Sequence, residues 1–131
     1  MNDSLEIYAQ WDGCELDVVA TEIGLLGLAS SLRSGLIGSF VLEERDAHPG
    51  CENMLRLEIQ RGEGKLHLKV EGHAMILSGG RASLSLLADN LDFLRSQWVM
   101  GGKPHLHFDP SSNPFLLSQE SESFIVGAFQ K

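Results

Sequence analysis

GGRASLSLLADNLDFLRSQW, residues 79–98, sets Leu84, Leu87, Ala88, Leu91, then Leu94 or Arg95, and Trp98 three and four positions apart. That spacing winds a single apolar stripe around a 3.6-residue period and predicts an amphipathic helix over about 81–97. MGGKP, residues 100–104, supplies the stop. The same LxxLAxxL pattern stands 59 residues earlier, at Leu25, Leu28, Ala29 and Leu32. There Thr21 offers an N-cap and Gly35 a C-terminal stop, which predicts a helix over about 21–34. Gly24 and Gly27 weaken it, each costing roughly 1 kcal/mol against alanine in a helix interior.

The offset of 59 also aligns apolar positions outside the helices: Ile7 with Leu66, Ala9 with Leu68, Trp11 with Val70, Gly13 with Gly72 and Val18 with Leu77. Two explanations are open at this point. The chain carries an internal repeat, 5–61 and 64–129, each half reading strand, optional strand, helix, strand, strand; or two amphipathic helices share a pattern that any such helices would share. Both lead to one α+β domain over residues 1–131, with the two helices packed on one face of a mostly antiparallel sheet.

Period-two alternation marks the strands. LEIYAQWD, 5–12, turns Leu5, Ile7, Ala9 and Trp11 inward and Glu6, Tyr8, Gln10 and Asp12 outward. GSFVLEER, 38–45, and MLRLEIQRG, 54–62, follow, the second burying Leu55, Leu57 and Ile59, with the loop DAHPGCEN between them. KLHLKVEG, 65–72, buries Leu66, Leu68 and Val70, and HAMIL continues it or pairs with it. HLHFD, 105–109, and SFIVGAF, 123–129, close the chain around the irregular PSSNPFLLSQESE.

With 131 residues and 43% hydrophobic side chains the chain can bury a core without disulfides or metals. Its 18 acidic against 10 basic residues give a net charge of −8, which opposes nucleic acid and anionic membranes and suits a basic partner. No apolar run is long enough for a membrane span, and MNDSLEIYAQ lacks the features of a signal peptide, so a cytoplasmic protein is expected. Cys14 and Cys51 fit no zinc knuckle or disulfide framework and are expected as small, partly buried thiols.

Chemistry is concentrated in HLHFD. If Leu106 and Phe108 face the helices, then His105, His107 and Asp109 face outward, beside Tyr8, Gln10, Arg56, Glu58, His67 and Lys69. Two histidines two apart on a strand can hold zinc, but a catalytic site needs a further ligand, for which His67 comes first and His73 second. The metallo-hydrolase pattern HxHxDH requires histidine where Pro110 stands, and the histidine-triad pattern requires it where Asp109 stands. No metal is therefore expected on this strand. GxSxG, CxxC, HExxH and a phosphate-binding glycine loop are all missing, so no catalytic residue and no cofactor is assigned.

EGHAMILSGGRASLSLLADNLDFLRS, followed by HLHFDPSSNPFLLSQESESFIVG, resembles the immunity protein 32 family of bacterial polymorphic toxin systems. The similarity covers roughly residues 66–129, about half of the chain: a strand, the LxxLAxxL helix, a His-x-His strand and a closing strand. It implies a cytoplasmic antitoxin that neutralises a cognate toxin by binding it, with no chemistry of its own. Candidate partner-facing residues are then Tyr8, His67, Lys69, His105, His107 and Asp109. The alternatives are a small metal-dependent enzyme using the HxHxD strand and a structural homo-oligomer, with a homodimer compatible with either binding role.

Overall fold

A computed structural model describes residues 6–34, 38–99 and 104–128. The elements in chain order are β1 (Ile7–Trp11), β2 (Glu15–Ala20), α1 (Glu22–Ser34), β3 (Gly38–Val41), β4 (Glu52–Asn53), β5 (Arg56–Arg61), β6 (His67–Glu71), β7 (Ala74–Gly79), α2 (Arg81–Val99), β8 (His105–Phe108) and β9 (Ser123–Ala128). The protein is α+β, as its periodicities predict. Leu5, Gly35 and the helix stop at 100–103 lie outside the described residues.

Both helices begin where the sequence signals them. The Thr21 hydroxyl accepts the Gly24 N–H at 3.1 Å, satisfying one of the donors that a helix start leaves unpaired. Gly80 takes the equivalent place before α2, its carbonyl accepting the Leu84 N–H at 3.0 Å. Gly24, Leu25, Leu28, Ala29 and Leu32 of α1 are buried, as are Leu84, Leu87, Ala88, Leu91 and Leu94 of α2. The leucine stripes of the two helices pack on each other and on the strands, within one cluster of buried side chains.

Two sheets stand where one was expected. Their orders are β4-β1-β2-β9-β8 and β3-β5-β7-β6. Antiparallel pairing dominates, but β2–β9 and β5–β7 are parallel. The helix pair serves both sheets: Val18, Phe124 and Val126 of the five-stranded sheet and Leu57, Leu68 and Leu77 of the four-stranded one meet Leu28, Leu87 and Leu91 around an apolar cavity of about 30 Å³. A space that small, with no polar lining, stays dry and holds no ligand.

The two sheets are assembled by one rule. The β1–β2 hairpin of the first half pairs, through β2, with β9 of the second; the β6–β7 hairpin of the second half pairs, through β7, with β5 of the first. The parallel registers coincide: Glu15 opposite Ser123 to Ala20 opposite Ala128, and Ala74 opposite Arg56 to Gly79 opposite Arg61. Ala9 opposite Val18 likewise becomes Leu68 opposite Leu77 at the offset of 59. Later elements correspond at larger offsets because α2, with 19 residues, exceeds α1, with 13. Each sheet is thus a hairpin from one half completed by two strands of the other, with β4 added beside β1 in the five-stranded one.

Leu55, Gln10 and Cys14 lie otherwise than the sequence predicts. Leu55 is 38% exposed and Met54 fully buried in its place. The cause is a bulge: the amides of Leu55 and Arg56 both donate to the His73 carbonyl, at 2.7 and 3.3 Å, so two residues oppose one and the inward phase slips by a residue. Gln10 is buried because the chain after β3 folds over it, its amide donating to Asp46 O and Asn53 Oδ1, both at 3.2 Å. Cys14 is exposed at the tip of the β1–β2 hairpin instead of partly buried; Cys51 is half-buried.

Candidate functional site

The HLHFD strand, β8, forms an edge of the five-stranded sheet. Phe108 is buried and stacks on Phe124, ring centroids 4.7 Å apart, while His105 and His107 are exposed on the opposite face. Their rings stand edge to face with centroids 4.9 Å apart. The Ala128 N–H reaches Pro104 O at 3.4 Å, which fixes the phase of the ladder. Residues 106 and 108 then bond to β9, and the backbone groups of His105 and His107 point to the open edge.

Register places two rows across the outer face. One runs Tyr8, Val19, Gly127, His105; the other runs Gln10, Asp17, Ile125, His107. Asp17 and the two histidines are exposed, whereas Val19, Ile125 and Gly127 are half-buried. At the β1 side Arg45 lies over the Tyr8 ring, 5.2 Å from its centroid, and approaches Glu43 at 3.3 Å. The face is a shallow trough with β2 and β9 as its floor, a Tyr8–Arg45 wall on one side and the histidines on the other. Three strand spacings of ~4.8 Å give it a width of roughly 14 Å.

The candidate residues therefore do not share one surface, as alternation alone implied. Tyr8, His105 and His107 lie on the five-stranded sheet; His67 and Lys69, with Arg56 and Glu58, lie on the outer face of the four-stranded sheet. His67 Nδ1 stands 3.0 Å from Ser118 Oγ, and His73 Nδ1 stands 3.3 Å from Asn53 O. Neither supplies the third ligand that a metal reading of His105 and His107 would need. Among the described residues no three His, Cys, Asp or Glu side chains come together as a cation site.

Asp109 closes a turn. Its carboxylate accepts the Ser112 N–H at 2.8 Å, its N–H donates to Asn113 Oδ1 at 3.0 Å, and the Asn113 N–H returns to its carbonyl at 2.8 Å. The backbone N–H of Ser112, ahead of the Ser112 hydroxyl, the Ser111 amide and the smaller effect of His107, holds its pKa below the ordinary carboxylate value. Asp12 does the same in the β1–β2 turn, accepting from Cys14 and Glu15, both at 2.8 Å, and the Glu15 and Cys14 amides depress its pKa. Both shifts stabilise the fold above the unfolded pKa, near 3.8, and that contribution is lost as pH falls through the lower native value. The Asp12→Asn, Asp109→Asn variant is therefore expected to be less stable than the parent at pH 6–7 and to show a shallower loss of stability between about pH 5 and 2. Urea midpoints across that window check it; a parallel pair of curves contradicts it.

Elsewhere several charged side chains are paired with each other. A hollow of about 280 Å³ is lined by Leu55, Arg56, Glu71, His73 and Ala74. Its Arg56 is paired with Glu58 at 2.7 Å and its Glu71 with Lys69 at 3.0 Å. On the helices Arg33 meets Asp89 at 2.7 Å as well as Asp92, and hydrogen bonds to both raise its pKa further. No helix among the described residues is long and apolar enough to cross a membrane. Comparison of the chain with known protein families, with characterised proteins and with solved structures returns no match.

Proposed function

We propose that the protein is a binding protein of the immunity type: it captures a cognate, more basic protein toxin and neutralises it by association, without chemistry, cofactor or metal of its own. The observation that carries the reading is the contrast between side chains and surfaces. Polar side chains in the hollow and the turns are engaged by neighbours, while the trough of the five-stranded sheet offers an open face on which Glu15 and Asp17 have no ion pair among the described residues. The resemblance of residues 66–129 to the immunity protein 32 family supports the same reading and names the partner's class.

Charge favours such a role. Residues 1–32 contain six carboxylates and no lysine or arginine, and residues 104–130 contain three and again no lysine or arginine. A field of that sign speeds encounter with a cation-rich surface and repels phosphate backbones and anionic lipid. Apolar and aromatic contacts then set the dissociation rate. Its cellular test is co-expression with the protein encoded beside it: cells that arrest when that protein is made alone are expected to grow when both are made. Continued arrest, with both proteins present and folded, contradicts the proposal.

A further inference from the structure

We infer that the partner docks on the outer face of the five-stranded sheet, over β2 and β9, and that it inserts there a lysine or arginine carried on a protruding segment. The inference rests on the binding role just proposed and gives it a place and a chemistry.

The argument comes from two equivalent faces that differ. Following the shared registers, Asp17 corresponds to Ile76, Val19 to Ser78, Ile125 to Glu58 and Gly127 to Gln60. On the four-stranded sheet the charges are matched internally, Arg56 with Glu58 at 2.7 Å and Lys69 with Glu71 at 3.0 Å, and Ile76 between them is only 6% exposed. The ion pairs of that face close on themselves. On the five-stranded sheet Asp17 is exposed and, like Glu15 beside it, has no ion pair among the described residues. Its neighbours Val19 and Ile125 are half-buried and apolar. Gly127 leaves the trough open: a Cβ there would meet nothing nearer than His105 Cβ at 3.8 Å and Pro104 O at 3.9 Å.

An apolar floor beside the unmatched carboxylates of Asp17 and Glu15 is complementary to an amphipathic cation. The methylene stem of lysine or arginine covers Val19 and Ile125 and its charged head reaches Asp17. A carboxylate at that place repels an anionic ligand, and the trough is too open to enclose a small molecule. The chemistry therefore selects a cation presented by a protein surface.

The test uses the full chain and the purified product of the adjacent gene, with affinity measured by titration calorimetry and folding checked by thermal melts. Asp17→Lys reverses the charge. Gly127→Gln installs the residue that the equivalent backbone already carries at position 60, filling the trough without strain. Both are expected to weaken binding at least tenfold, while Lys69→Glu on the other sheet changes it less than twofold. Wild-type affinity for Asp17→Lys and Gly127→Gln, both folded, overturns the inference and leaves the binding role standing. Absence of binding by the wild-type chain itself overturns the binding role instead.

Discussion

Leu91→Ala is expected to destabilise the protein by about 2–5 kcal/mol, the range of large-to-small changes in a tight core. Leu91 is 1% exposed and lines the small cavity at which both helices and both sheets meet. Removing its isobutyl tip enlarges a space with no polar lining, so water cannot fill it and the surrounding atoms lose contacts outright. The neighbourhood has little freedom to collapse inward, because Leu87, Leu28 and Val126 are held on separate elements anchored by backbone ladders. Urea unfolding should show a lower midpoint with an unchanged slope. Leu86→Ala, on the same helix but with Leu86 49% exposed, should cost far less. A loss below about 1 kcal/mol at Leu91 would mean that the helix stripe is not the centre of the core.

Gly24→Ala is the second large effect, and its sign opposes helix propensity. Propensity alone predicts a gain of roughly 1 kcal/mol for replacing glycine in a helix interior. The packing predicts a loss. A Cβ at position 24 would lie 3.0 Å from the Glu6 carbonyl carbon and closer still to its oxygen, and that oxygen accepts the Thr21 N–H at 3.1 Å. Backbone, not a flexible side-chain end, must therefore move, and the capped start of α1 moves with it. A net cost of about 1–3 kcal/mol, or more, is expected, as for other overpacked sites. Ser83 stands at the matching position of α2, 59 residues on, and has room for a side chain that donates to Gly64 O at 2.7 Å. A thermal melt of Gly24→Ala above that of the parent would contradict the close packing of α1 on β1.

Those two sites show what a sequence conveys and what it leaves out. Helix period, the Thr21 cap and the inward choice of Leu106 and Phe108 over the histidines are local, and alternation or spacing reports them directly. Gly24 read as a weakness of the helix because the element it touches, the start of β1, lies outside the window in which propensity is judged. The same limit hid the division into two sheets. Alternation says which side of a strand is buried but not which strand lies beside it, and the β2–β9 pairing joins residues more than a hundred positions apart. β2 itself, ELDVVA, was visible only through the offset that sets Val18 against Leu77. Its own alternation, Leu16, Val18 and Ala20 buried, is interrupted by the apolar Val19.

For the candidate site the histidines' outward direction was legible, and their neighbours were not. His67 and Lys69 share their facing with His105 and His107 but stand on another sheet, because facing is local and sheet membership is not. In the sequence Asp17 is one of 18 acidic residues. Its position in the row between Gln10 and Ile125 follows from pairings on both sides of β2. Asp109 looked like the third member of a polar triad, yet its hydrogen bonds commit it to the turn that follows β8.

The most direct test of association without chemistry is a stopped-flow and calorimetric titration of the purified, untagged chain against the purified product of the adjacent gene, at 50 and 500 mM salt. A saturable complex of fixed stoichiometry is expected, with an association rate that falls steeply as salt rises and a dissociation rate that changes little. No complex at either salt, together with turnover of a substrate by the isolated chain, would contradict the account.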